Sequence, residues 1–158
     1  MTYTVIARCA RTSQMGIGIA TYSLAVGGYC PVVRGGLGAV STQAFVNLKL
    51  GTLALRLLEQ GFAPTKVMAE LADDDPQIDY RQIGIVDATG GVAVHTGAST
   101  RPWSGHVTGA GYITMGNVLA GKGVVAAMAA AFEDNEGEDL AERLLRVLEA
   151  GRDAGGQQ

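Results

Sequence analysis

The chain has 158 residues, a length that suits one domain and leaves no room for separate cofactor and substrate domains. It is 47% hydrophobic and only 17% charged, with 23 Gly, which excludes both a disordered chain and a collagen-like repeat. A net charge of −3 without clustered Lys and Arg excludes a protein built to track nucleic-acid phosphates.

At the start, Tyr3, Val5 and Ala7 alternate with Thr2, Thr4 and Ile6, the period-two pattern of a strand that begins almost at the first residue. The turn Arg11-Thr12-Ser13-Gln14 and the small apolar run 15–23 complete a hairpin. A Gly-punctuated crossing then reaches Pro31, which favours an edge strand or a strand start. Arg34-Gly35-Gly36-Leu37-Gly38 feeds a further strand through Gln43, so the first third reads as strand and turn. From Asn47 the period changes, with Leu50, Leu53, Leu57 and Leu58 on one helical stripe that ends near Gly61. Pro64 opens a second helix carrying Val67, Met68 and Leu71. The acidic triplet Asp73-Asp74-Asp75 opposes the helix dipole and reads as a solvated stop before Pro76 rather than a metal site.

Residues 81–87 and 92–96, joined by Ala88-Thr89-Gly90-Gly91, predict a β-hairpin with Ile83, Ile85, Val92 and Val94 as core candidates. The Gly-rich stretch 97–121, which holds the sole Trp, reads as loops folding over a site. Val124, Val125, Met128 and Phe132 mark a third helix, and Leu140, Leu144, Leu145 and Leu148 a fourth. Eight of the 15 acidic residues lie at or beyond Glu133, the mark of an exposed helix face. Cys9 and Cys30 read as two buried thiols, and with His95 and His106 they offer no metal-ligand spacing. A secretory signal and a membrane-length apolar run are both missing from the pattern, so a cytoplasmic protein is expected. Strands, two helices, strands and two helices fit an α+β fold of two antiparallel sheets enclosed by helix pairs, as one domain over residues 1–158. The turn-like ending 151–158 has nothing to turn into, so a further strand or segment is expected after Gln158.

Six blocks carry a resemblance: residues 1–7, Ser41-Thr42-Gln43-Ala44-Phe45, residues 82–87, His95-Thr96-Gly97-Ala98, Pro102-Trp103-Ser104-Gly105-His106, and residues 116–121. Together they resemble the bacterial family called domain of unknown function 1028 over almost the whole chain. The resemblance implies a four-layer αββα sandwich like that of N-terminal nucleophile (Ntn) hydrolases and proteasome-type subunits. Such enzymes cleave amide bonds with a Thr, Ser or Cys at a strand start, whose free α-amine is the general base.

Two placements of the nucleophile stay open. Thr2 begins the first strand and is exposed if Met1 is removed, as is usual before a small residue; the plainer reading is a Thr favoured at a strand start. Alternatively, this chain is the α-subunit of an autoprocessed precursor, and a Ser, Thr or Cys opens a β-subunit downstream of Gln158. By position in the resembled architecture, Ser41, Thr42 and Gln43 form a wall that presents donors to an oxyanion, and Gly116-Asn117 completes the site with the Asn117 amide as donor. The loop with Trp103 brings His106 to bind a carboxylate or relay a proton, a role given less weight at His95. Arg34 is a candidate to steer an anionic substrate, against the simpler reading of a surface Arg. A Ser-His-Asp triad and a phosphate-binding loop are unsupported, since neither a Gly-x-Ser-x-Gly elbow nor a Gly-Lys-Ser/Thr continuation occurs. The expected function is an Ntn-type amidohydrolase acting on a small amide, amino-acid derivative or peptide, without metal or organic cofactor, as a homo-oligomer or heterotetramer. The alternative is a noncatalytic scaffold that binds a small polar ligand or cell-wall-derived peptide.

Overall fold

β1 (Thr2–Arg8) has to bury both of its faces: Tyr3, Val5 and Ala7 point one way, Thr4 and Ile6 the other, and all five are buried. It therefore lies inside a sheet, between β2 (Met15–Thr21) and β8 (Tyr112–Asn117), with β7 (Gly105–Gly109) at the far edge. The second sheet runs β3 (Pro31–Arg34), β4 (Gly38–Ala44), β5 (Arg81–Asp87), β6 (Val92–Thr96), and Pro31 does start an edge strand. In the computed structural model, which describes residues 1–157, the two antiparallel sheets stack face to face between two helix pairs. α1 (Leu48–Glu59) and α2 (Pro64–Asp74) cover the second sheet, while α3 (Lys122–Asp134) and α4 (Leu140–Asp153) cover the first. This is the α+β layered sandwich expected. Among the described residues, no helix is long and apolar enough to cross a membrane.

Local chemistry sets the helix ends. Asn47 caps α1 by accepting the Lys49 N–H at 3.2 Å, and Gly61, at φ +89°, takes the left-handed turn that stops it. Leu50, Ala54, Leu55 and Leu58 then pack on Val40, Ile83 and Ile85. Arg143 of α4 closes the end of α3, donating from Nε to the Phe132 carbonyl at 2.6 Å with its guanidinium 3.5 Å above the Phe132 ring. On α4 the inward stripe runs Leu140, Leu144 and Val147, whereas Leu145 is exposed, contrary to the sequence expectation.

Two other expectations are corrected. Within the stretch 97–121, two segments are strands, and all six residues of β8 are buried. Its glycines mark close approach instead of looseness: a Cβ on Gly109 would lie 2.1 Å from the Tyr112 ring, and one on Gly105 2.5 Å from Trp103. Asp75 is not a solvated stop. It is 5% exposed and takes the Arg81 Nε–H at 2.8 Å, because the 3-10 turn Ile78–Tyr80 brings Arg81 back beneath the end of α2.

The layer between the sheets is apolar over most of its length, where Ile6, Ala39, Val86, Ile113 and Met115 meet. Burying each large side chain there contributes about 2 kcal/mol. Toward the start of β1 and the ends of β4 and β8 the same layer turns polar, with Thr4, Gln43, Gln82 and Asn117 buried together.

Candidate active site

Two clefts open at that polar end, of about 500 Å³ and about 380 Å³. Met1, Ala44 and Phe45 line both, so these three residues stand between them. Beneath it Thr2 pairs with Thr21 on one side and Asn117 on the other, its side chain turned with Thr4 and Ile6 toward the inter-sheet layer. The Thr21 hydroxyl donates to the Met1 carbonyl at 2.7 Å and lies 3.1 Å from Thr2 Oγ1. A hydroxyl has one hydrogen, so Thr2 is the donor of that second bond, and Thr21 also accepts the Ser23 N–H at 3.2 Å.

A hydrogen-bonded layer supports Thr2 from below. Thr4 donates to Gln43 Oε1 at 2.5 Å, and Gln43 Nε2 (2.9 Å) and Asn117 Nδ2 (3.2 Å) both donate to Gln82 Oε1. The Gln82 amide hydrogens lie among the Gly116 carbonyl at 2.9 Å, the Thr96 hydroxyl at 3.0 Å and the Gly105 carbonyl at 3.2 Å. Buried amides satisfied in this way hold one geometry, since breaking any bond strands a polar group in a low dielectric. Gly116 is required by proximity: a Cβ there would sit 2.9 Å from the Thr2 carbonyl oxygen and 2.6 Å from Leu119 Cδ1.

The ends of β4 and β8 turn sharply around the clefts. Ala44 (φ 68°) and Val118 (φ 53°) are both left-handed, a conformation that costs a β-branched residue most. Along β4, Thr42 donates its N–H to the Cys30 carbonyl at 3.1 Å and Phe45 donates to Tyr80 at 3.2 Å, so even-numbered N–H groups face the β3 side. Ala44 therefore aims its N–H past the start of β3 into the smaller cleft, which it lines with Thr2, Gln43 and Cys30. Burial pushes the Cys30 thiol up to about 11, leaving it protonated near neutral pH. Burial first and Arg101 second hold the Met1 amine below its ordinary value.

The remaining predicted residues divide by place. Thr2 and Asn117 line the clefts, as does Gln43, and Gly116 packs against Thr2. Ser41 does not join them: it lies one pair deeper, fully buried, and its Oγ has no partner among the described residues. Thr42 faces the helix side of its sheet, since its neighbour Ile83 packs under α1, and only its backbone serves the wall. Arg34 sits at the opposite end of the sheet, where the β3–β4 hairpin places it, and is paired with Glu59 at 2.6 Å. Trp103 packs against the core under α3 and α4 and lines neither cleft. His106, on the edge strand β7, meets Thr96 Oγ1 through Nδ1 at 2.9 Å; burial and then His95 lower its pKa, which leaves the ring neutral and able to accept. His95 is occupied with the Ile78 carbonyl at 3.1 Å.

Sequence reasoning missed Thr21, Tyr80, Gln82 and Arg101. Thr21 was within reach, because a hairpin that starts at Thr2 must end opposite it. The larger cleft is lined by Tyr80, Ser99 and Arg101 besides Met1, Phe45 and Asn117, and its floor is tied down by Arg81, which donates to the Phe45 carbonyl, to Asp75 and to Gln77 Oε1 at 3.0 Å.

The sequence matches, over residues 2–158, the family described as Family of unknown function (DUF1028). The crystal structure of protein SPO2555 from Silicibacter pomeroyi, of the same family, is 31% identical, with a TM-score of 0.93 over 98% of this chain and 69% of that one. Among curated proteins there is no match.

Proposed function

The chain belongs to the family of unknown function DUF1028, and from its own site we propose an amidohydrolase whose nucleophile is the Thr2 hydroxyl and whose base is the Thr2 α-amine, freed by cutting the Met1–Thr2 bond. The observation that carries this reading is the place of Thr2: a strand-start hydroxyl, held by Thr21, beneath Met1, which with Ala44 and Phe45 lines both clefts. Removing Met1 takes away the one of the three shared lining residues that covers Thr2. The Met1 amine, one residue away, is held below its ordinary value by burial first and Arg101 second, and the same two causes acting on a freed Thr2 amine would favour the uncharged form a base needs.

In the proposed reaction Thr2 Oγ1 adds to the substrate carbonyl carbon and its proton passes to the α-amine. The Ala44 N–H donates to the carbonyl oxygen as it gains charge. The amine returns the proton to the departing nitrogen as the C–N bond breaks, and water then hydrolyses the Thr2 ester. Two free buried thiols, Cys9 and Cys30, fit a reducing cytoplasm. A second reading, a binding scaffold, is favoured by the Thr21 bond that holds the Met1 carbonyl in place.

The test is N-terminal sequencing and intact mass of the full gene product, before and after exposure to a β-lactone acylating probe. A chain that begins at Thr2 and gains one probe on its first peptide supports the reading; Thr2→Ser keeps the labelling and Thr2→Ala loses it. An unlabelled chain that retains Met1 turns the reading to the scaffold, and a second polypeptide opening with labelled Ser, Thr or Cys moves the nucleophile there.

A further inference from the structure

We propose that the larger cleft is a carboxylate subsite, in which Arg101 anchors an anionic group of the substrate while Phe45 and Tyr80 take an adjoining apolar group. This deepens the hydrolase reading and rests on it: the substrate class becomes an N-acylated amino acid with a free carboxylate.

The charge pattern argues for an anion. Arg101, an exposed residue, has no carboxylate partner among the described residues; Arg8, Arg11, Arg56 and Arg143 lack one too, but of these five only Arg101 lines the cleft. None of the residues lining the cleft is acidic, in a chain whose net charge is −3. Arg81 lies under the floor and is consumed by Asp75, Gln77 and the Phe45 carbonyl, so it cannot serve the cleft itself. What it does is fix the Phe45 main chain, with its guanidinium 5.4 Å from the Phe45 ring.

Position argues for a substrate rather than a stray surface charge. The Arg101 carbonyl accepts the Val118 N–H at 3.2 Å, which pins its backbone next to Asn117, the pairing partner of Thr2. Val118 adopts its left-handed turn at this point, so the chain goes to some conformational cost where the two loops meet. Phe45 is 64% and Tyr80 51% exposed, so both aromatic rings present surface at the mouth, Phe45 with the Arg81 guanidinium over its ring. Ser99 and Asn117 add polar groups to the cleft lining, and Asn117 is the cross-strand partner of Thr2. A guanidinium and two aromatic residues in the larger cleft, with the Thr2 hydroxyl in the smaller cleft on the other side of Met1, match an amide flanked by a carboxylate and an apolar side chain once Met1 is removed.

The experiment is calorimetric titration of the full chain, and of its Thr2→Ala form that leaves ligand unhydrolysed, with N-acetylphenylalanine, its neutral primary amide, and N-acetylalanine. The acid is expected to bind about tenfold or more tightly than the amide. Arg101→Gln erases that difference and Arg101→Lys keeps part of it, while N-acetylalanine binds more weakly than N-acetylphenylalanine. Equal binding of acid and amide, an Arg101→Gln protein that still discriminates, or no binding of the acid below about 10 mM overturns the subsite. The two readings fail separately. Acid selectivity without acylation of Thr2 leaves a carboxylate-binding site and retires Thr2 as the nucleophile, and acylation without selectivity leaves the nucleophile and retires the subsite.

Discussion

Asp75→Ala is the perturbation whose size the structure fixes best. The Asp75 carboxylate accepts the Arg81 Nε–H at 2.8 Å, the Gln77 N–H at 3.0 Å and Asn47 Nδ2 at 3.2 Å, and both ionic side chains are 5% exposed. Removing the acid strands a guanidinium that only the Phe45 carbonyl and Gln77 Oε1 still accept from. Breaking such a pair costs about 3–5 kcal/mol, because the loss is dominated by the uncompensated charge left behind. At about 2–4 °C per kcal/mol for a chain of this size, the midpoint falls by about 6–20 °C. Urea unfolding followed by the fluorescence of Trp103 measures it. Replacing both partners, Asp75→Leu with Arg81→Met, costs less than Asp75→Ala alone, since no charge then remains to desolvate. A single-mutant loss below about 1 kcal/mol, the range of exposed pairs, refutes the reasoning, and so does a double mutant less stable than the single.

The pH dependence has a definite sign. Arg81 holds the Asp75 carboxyl below the usual carboxylate range, with the Gln77 N–H and Asn47 assisting. A group whose folded pKa is depressed contributes stability above its unfolded value, about 3.9, and loses it as pH falls through the folded value. Wild type should therefore lose this contribution below about pH 4, and Asp75→Asn should lack that part of the acid dependence.

Three further outcomes follow from the site. Gln82→Leu leaves Gln43 Nε2 and Asn117 Nδ2 without their acceptor and should cost about 2–4 kcal/mol in the same unfolding assay, against under 1 kcal/mol if the network is idle. Gly116→Ala pushes a Cβ against the Thr2 carbonyl and Leu119, so it should cost about 1–3 kcal/mol and slow β-lactone labelling of Thr2; normal labelling speaks against close packing there. Cys30, protonated up to about 11 and 3% exposed, should resist iodoacetamide at pH 8 in the native protein and react once unfolded; rapid native alkylation contradicts its burial.

Strands and helices were legible where side-chain period and burial agree. Alternation in β1, the leucine stripe of α1 and Pro64 at the head of α2 each point to the element that forms. Periodicity failed on β7 and β8, where glycines replace the alternating side chains because Trp103, Tyr112 and Thr2 occupy the space a Cβ would need. It failed on Asp75 because the partner that buries it comes six residues later, after a turn with no periodic signal.

The site was legible along β1 and much less so elsewhere. Ser41 and Gln43 share a face, but one pair of residues, about 6.6 Å of strand, separates a sealed hydroxyl from an amide that reaches the cleft. Arg34, a candidate from the sequence, is put out of reach by topology alone, since a hairpin turn lies at the end of the strand away from Ala44. Arg101 carries no local signal, because it enters the cleft from a loop held by backbone bonds to distant segments, from Ser99 to Asp79, from Val118 to Arg101 and from Leu119 to Trp103. A better cue lay in the strands themselves. Thr4, Gln43, Gln82 and Asn117, like Thr2 and Ser41, are polar residues at inward positions of strands that turn apolar farther along, and pairing brings these four to the same end of the sandwich. Burying four such groups is costly unless they satisfy one another, so a sequence that keeps them together has placed its structural expense directly beneath the cleft that Thr2 opens into.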